Sequence, residues 1–222
     1  ENEGQRALAN NSVAFKGKPE MGTFMREWTA LYESKSGERG IFNRQAAKVK
    51  ALENGRRDAN HYFGCNPCSE IILRPYQFCN LTEVVARETD TLDTLKEKVR
   101  MATILGTFQS TLTNFKYLRK IWKDNTEEER LLGVSLTGIL DCPVLNNNYY
   151  ELEDVLQELR QIAVDTNKKV AKELGIPQST AITCIKPSGT VSQLVDSASG
   201  IHARHSDYYI RTVRGDNKDP LT

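Results

Sequence analysis

Two long stretches with helical spacing, residues 91–118 and 152–174, alternate with short apolar runs, and this alternation directs the chain to an α/β architecture. Thr91 or Asp90 is a suitable N-cap for the first stretch, whose apolar stripe is Leu95, Val99, Ala102, Leu105 and Phe108. The second runs from Leu152 to Leu174 and stops at Gly175, with Pro177 beyond, a common C-terminal signal. Apolar residues at helical spacing (Phe24, Met25, Trp28, Leu31) predict another helix over Met21 to Ser34, closed by the breaker Ser36-Gly37. Short strands are expected at 10–15, 40–43, 180–185 and 208–214, with Ile71 to Leu73 a buried strand or turn. Residues 44–61 read as a surface connection with a helical start, and 127–139 as the beginning of a helix in which Gly133 and Gly138 allow close packing.

The bulk numbers narrow the function. With 39% hydrophobic and 27% charged residues, the chain of 222 residues has the composition of a folded globular protein. Its net charge of +1 offers no basic excess for direct nucleic-acid binding. No apolar run approaches the roughly 18–20 residues that cross a bilayer. Five cysteines, an odd number without an export signal, favour free thiols in a reducing, cytoplasmic compartment over a disulfide framework. The absent initiating Met and the ending Asp219-Pro220-Leu221-Thr222 lead us to read residues 1–222 as an internal piece of a longer protein.

The chemistry concentrates in Asn66-Pro67-Cys68-Ser69-Glu70, with Cys79 further along. Residues two apart share a face in extended backbone, so Asn66, Cys68 and Glu70 are expected to present an amide, a thiol and a carboxylate to one small molecule. Cys65-Asn-Pro-Cys68 is also a Cys-x-x-Cys, which could be half of a zinc site or a redox pair. No second such motif accompanies it, and His61, His202 and His205 are not spaced to complete it. No metal is therefore assigned, and Cys65 reads as a small packing residue. Lys186-Pro-Ser-Gly-Thr-Val-Ser192 follows a predicted strand and combines Gly189 with the hydroxyls of Ser188, Thr190 and Ser192. Backbone N–H groups and hydroxyls of this kind make a phosphate cradle, although small-residue loops are also ordinary turns. The basic runs Arg56-Arg57 and Lys116 to Lys123 read as solvated faces, and neither His202 nor His205 is given a catalytic role.

Together, Asn66, Cys68 and Glu70 as Asn-x-Cys-x-Glu, and residues 187–193 as Pro-Ser-Gly-Thr-x-Ser-Gln, resemble the large catalytic subunit of the ribonucleotide reductases. The short step from Cys68 to Cys79 resembles the adenosylcobalamin-dependent, class II branch. Cys65 departs from the family, where a small polar residue is more usual. The resemblance implies a fold that is part of a ten-stranded α/β barrel, with the radical cysteine on a central finger loop, all of 1–222 lying within that single catalytic domain. It implies that Cys68 becomes a thiyl radical that abstracts the ribose 3′-hydrogen, that Glu70 takes the 3′-hydroxyl proton, and that Asn66 orients the hydroxyls. Cys79 would be half of the reducing dithiol, and Ser188, Gly189, Thr190 and Ser192 would hold the substrate phosphates. The implied cofactor is adenosylcobalamin, with an external dithiol reductant such as thioredoxin. The implied ligands are a ribonucleotide, with a lean to triphosphate, and deoxynucleotide effectors bound mostly outside this chain. Two alternatives stand beside this reading: a zinc- or thiol-dependent binding module on Cys65 and Cys68, and a fragment inactive on its own.

Overall fold

The computed structural model describes residues 11–35, 39–146, 151–210, 212 and 215–220. Strand β1 (Asn11–Phe15) and helix α1 (Met21–Ser34) lead into β2 (Arg39–Asn43), which lies parallel to β1. Helix α2 (Arg44–Leu52) starts at once, because the Asn43 side-chain oxygen accepts the Gln45 and Ala46 N–H groups at 2.9 and 3.0 Å. The two-residue strands β3 (Gly64–Cys65) and β4 (Ile72–Leu73) form an antiparallel hairpin, packed by Ile72 and Phe63 onto the alanines of α2.

The larger core belongs to a βαβ unit. Strand β5 (Asn80–Val85) is followed by α3 (Leu92–Gln109), α4 (Lys120–Glu129) and β6 (Leu132–Thr137), which returns parallel to β5 in the register Asn80↔Leu132 to Val85↔Thr137. A parallel return needs a crossover of this length. After a short 3₁₀ turn come α5 (Pro143–Asn146) and α6 (Leu152–Leu174). Residues 181–184 then run along the free edge of β6: the Ala181 and Ile182 carbonyls accept the Leu132 and Val134 N–H groups, and the Cys184 N–H reaches the Val134 carbonyl. Helix α7 (Gly189–Leu194) follows. All of β6 is buried, as expected of a parallel strand covered on both faces. Val84, Leu132, Val134, Leu136 and Ile182 meet Leu95 and Val99 of α3 and Leu159 and Ala163 of α6.

Several expectations need correction. Thr91 caps α3 as expected, its hydroxyl accepting the Thr94 N–H while the Thr94 hydroxyl accepts that of Thr91. The helix ends at Gln109, however, rather than near 118. Its buried face is Leu95, Val99, Ala102, Thr103, Gly106 and Thr107, whereas Leu105 and Phe108 are 62% and 51% exposed. The buried threonines are satisfied within the helix, Thr103 on the Val99 carbonyl and Thr107 on that of Thr103, both at 2.7 Å. Residues 127–139 do not begin a helix: α4 ends at Glu129 and Leu132–Thr137 is a strand. Residues 208–210 are not strand. The rest of that expected strand at 211, 213 and 214, and the breaker Ser36-Gly37, lie outside the described residues.

Arg57 is not on a solvated face. It is buried, and its guanidinium binds Glu129 twice at 2.9 Å and the Ile72 carbonyl at 2.8 Å, with Gln77 also bonded to Glu129. This ion pair joins the hairpin and the segment leading to Cys79 to the end of α4. A second buried joint is Asn167 of α6, whose amide reaches the Thr107 and Ser179 hydroxyls at 3.0 and 3.1 Å while accepting the Ser179 N–H. It fixes the entry to the 181–184 segment against both long helices; the strand expected at 180–185 is reduced there to a single bridge, Val134↔Thr183.

Candidate active site

Residues 66–70 form the tip of the β3–β4 hairpin and are not extended. The Asn66 backbone donates to the Ile71 carbonyl at 3.2 Å, and its side-chain oxygen accepts the Ile71 N–H at 3.0 Å. The Ser69 N–H closes the turn on the Asn66 carbonyl at 2.9 Å, with Ser69 at φ +64°. Alternation of faces therefore does not apply. Cys68 stands exposed at the tip, while the Glu70 side chain is only 2% exposed. The Asn66 side-chain oxygen is spent on the loop, and its amide nitrogen is the side chain's remaining donor, on the side of Glu70. Cys65 lies on β3 with its sulfur 3.5 Å from the Ser69 hydroxyl.

What brings the thiol and the carboxylate together is a residue that sequence reasoning left without a role. The Lys186 ammonium lies 3.0 Å from Glu70 Oε1 and 3.8 Å from Cys68 Sγ. Lys186 is aimed there because its backbone N–H is held at 2.8 Å by the hydroxyl of Ser135, a buried residue of β6. Its position as the cation heading the small-residue loop was the available signal, but no local pattern pairs positions 118 apart.

Burial pushes the Glu70 carboxyl up, but its own backbone N–H, the Lys186 ammonium and the Asn66 amide outweigh that, so it is held below the ordinary carboxylate value. Burial, with the Glu70 charge beside it, pushes the Cys79 thiol up. Cys184, the other residue left unassigned, is pushed up to about 12 by burial, then by Glu70 and Cys79. Cys184 is therefore a protonated thiol at neutral pH, and Cys79 is shifted the same way. Glu70 feels Lys186 as its counter-charge. Gly133 makes room for this cluster. A Cβ there would run into Leu81 and come within 3.0 Å of Cys184 Sγ and of the Ile71 side chain. Gly133→Ala is expected to destabilise the protein by about 1–3 kcal/mol, read as a lower midpoint in urea unfolding.

The phosphate-type residues are only partly arranged as expected. Gly189 and Thr190 are exposed at the start of α7, and Ser188 is buried with its hydroxyl unpartnered among the described residues. Ser192 is buried, and its hydroxyl donates to the Gly189 carbonyl at 3.0 Å. That hydrogen bond engages the hydroxyl within its own helix. His202 faces the Ser199 carbonyl at 3.0 Å. Among the described residues, no group of three or more His, Cys, Asp and Glu is placed to hold a metal ion, so nothing favours the zinc-dependent module.

No family model matches the chain. In sequence it is 29% identical, over 97% of its length, to the adenosylcobalamin-dependent ribonucleoside-triphosphate reductase of Lacticaseibacillus paracasei, of which it covers 32%. It is 30% identical over 76% of its length to the enzyme of the same name from Euglena gracilis, covering 23% of it. A probable enzyme of this kind from Dictyostelium discoideum is 32% identical over 68% of the chain and is covered to 19%. The chain's kinship is with the adenosylcobalamin-dependent ribonucleotide reductases. Its fold is similar to a crystal structure of a B12-dependent, class II ribonucleotide reductase, with a TM-score of 0.63 and 23% identity over 89% of this chain and 30% of that one. That likeness bears out an α/β fold. The chain spans at most about a third of the length of these reductase relatives. No described helix is long and apolar enough to cross a membrane.

Proposed function

We propose that this chain carries the reaction centre of an adenosylcobalamin-dependent reductase that converts ribonucleoside triphosphates to deoxyribonucleotides by cysteine-centred radical chemistry. The observation that carries the reading is the meeting of the 66–70 hairpin with the segment heading the phosphate-type loop, through Lys186 on Glu70 and Cys68. A thiol and a carboxylate beside a loop suited to phosphate match the two ends of a nucleotide.

Cys68, exposed at the hairpin tip, is the residue here that would face adenosylcobalamin. That cofactor, when bound, supplies the one-electron chemistry that lets the sulfur abstract hydrogen. Cys68 takes the 3′-hydrogen of the ribose. Glu70, held as a carboxylate, accepts the 3′-hydroxyl proton, and the Asn66 amide nitrogen orients the ribose hydroxyls. The 2′-hydroxyl leaves as water with a proton from the dithiol of which Cys79 is half, and that dithiol then reduces the product radical. The raised pKa of Cys79 suits hydrogen donation better than thiolate attack. Gly189, Thr190 and the unpartnered hydroxyl of Ser188 receive the phosphates, with Ser192 shaping the turn beneath them.

On this reading the 222 residues are part of a single ten-stranded α/β barrel domain with Cys68 on its finger loop, working in the cytoplasm. A thioredoxin-type reductant and deoxynucleotide effectors act on the whole protein, and this piece alone does not turn over. Assay of the full-length protein with a ribonucleoside triphosphate and a dithiol should yield deoxynucleotide only when adenosylcobalamin is added. Product formed without it would overturn the assignment to this branch.

A further inference from the structure

We propose that Lys186 is a positioning residue for this chemistry, clamping Glu70 Oε1 beside Cys68 and leaving Glu70 Oε2 as the oxygen that accepts the substrate proton. The inference rests on the reading above.

Oε1 is taken by the ammonium at 3.0 Å, whereas Oε2 is buried and has no hydrogen-bond partner among the described residues. A buried carboxylate oxygen left open is costly unless something else satisfies it. A ribose hydroxyl is a donor of the required kind. The lysine is itself directed from the sheet, because the Ser135 hydroxyl on β6 fixes its backbone. The carboxylate is thus held from the 181–186 segment and not only from its own hairpin. Fixing one oxygen fixes the plane and direction of the other. The same ammonium lies 3.8 Å from Cys68 Sγ, so one side chain contacts both the carboxylate and the thiol.

The titratable and charged groups influencing Glu70 are Lys186, Cys79 and Cys184, and Cys68 shares Lys186 with it. Lys186 is the cation of this set. Without it, burial works against the carboxylate with only the Glu70 backbone N–H and the Asn66 amide opposing it, and the base is weakened on the acid side of the pH profile.

The test is kcat/KM against pH for the full-length protein carrying Lys186→Met or Lys186→Arg, with nucleotide binding measured alongside. For Lys186→Met the acid limb should move to higher pH, with activity at about pH 6 falling by about tenfold or more and part of the loss regained towards alkaline pH. Lys186→Arg, which keeps the charge, should return the limb towards its original position. An unmoved acid limb would overturn the proposal, as would an equal loss at every pH, which marks a merely structural role. A rise in KM alone would overturn it too, placing the lysine on the substrate phosphates instead. Cys68→Ser separates this from the broader reading. If that variant is dead and the Lys186→Met limb is unmoved, only the role of Lys186 falls. If Cys68→Ser turns over normally, the radical reading falls with it.

Discussion

Replacing Cys68 by serine in the full-length protein should lower ribonucleotide reduction by at least about a thousandfold, equivalent to about 4 kcal/mol in the barrier. The hydroxyl is nearly the size of the thiol and keeps a group opposite the Lys186 ammonium, which lies 3.8 Å from the sulfur. Hairpin geometry and nucleotide binding should therefore change little. What serine cannot do is carry an unpaired electron at low cost and hand hydrogen back at the end of a cycle. The measurement is deoxynucleotide formation beside nucleotide binding on the same preparation. Loss of both together would mean that Cys68 is structural. Retained turnover would remove the radical mechanism altogether.

The second large effect lies away from the site. Glu129→Ala should cost about 3–5 kcal/mol of stability, because it leaves Arg57 charged, buried and uncompensated. Both side chains are almost fully enclosed, at 4% and 3% exposure. Chemical denaturation should show the loss as a lower midpoint. The double variant Arg57→Met with Glu129→Leu should recover much of it, since a buried pair replaced by apolar residues of similar volume is often near neutral. A cost below about 1 kcal/mol for Glu129→Ala would show that the pair is hydrated and does not anchor the hairpin.

The parts of this fold that could be read from the sequence are those governed by local rules. Helices α1 and α6 run from Met21 to Ser34 and from Leu152 to Leu174, as their spacing and the Gly175 stop require. Strand β6 was hidden because Gly133 and Ser135 break its apolar run and the acidic end of α4 precedes it. Its burial on both faces comes from partners distant in sequence. The extension of α3 past Gln109 failed for a related reason: Leu105 and Phe108 continue the apolar spacing but point away from the core, which is lined by threonines instead. At the site, the residue types were visible and their arrangement was not. Asn66, Cys68 and Glu70 lie on a turn with a positive φ at Ser69. Their convergence depends on Lys186, which heads the small-residue loop without any local sign of its partners, and on Ser135, which no motif marks. Arg57, adjacent to Arg56 in a basic run, gave no hint of a partner 72 positions away.

The hairpin that bears Cys68 has a ladder of only two residue pairs, Gly64↔Leu73 and Cys65↔Ile72. A hairpin that short has little stability of its own. Its location is borrowed from Arg57 on the Ile72 carbonyl and from Lys186 on Glu70. The five-residue motif is consequently not portable. Grafted onto another scaffold it would bring the same atoms without their coordinates, because the address of the Cys68 sulfur is written in side chains from two other regions of the chain.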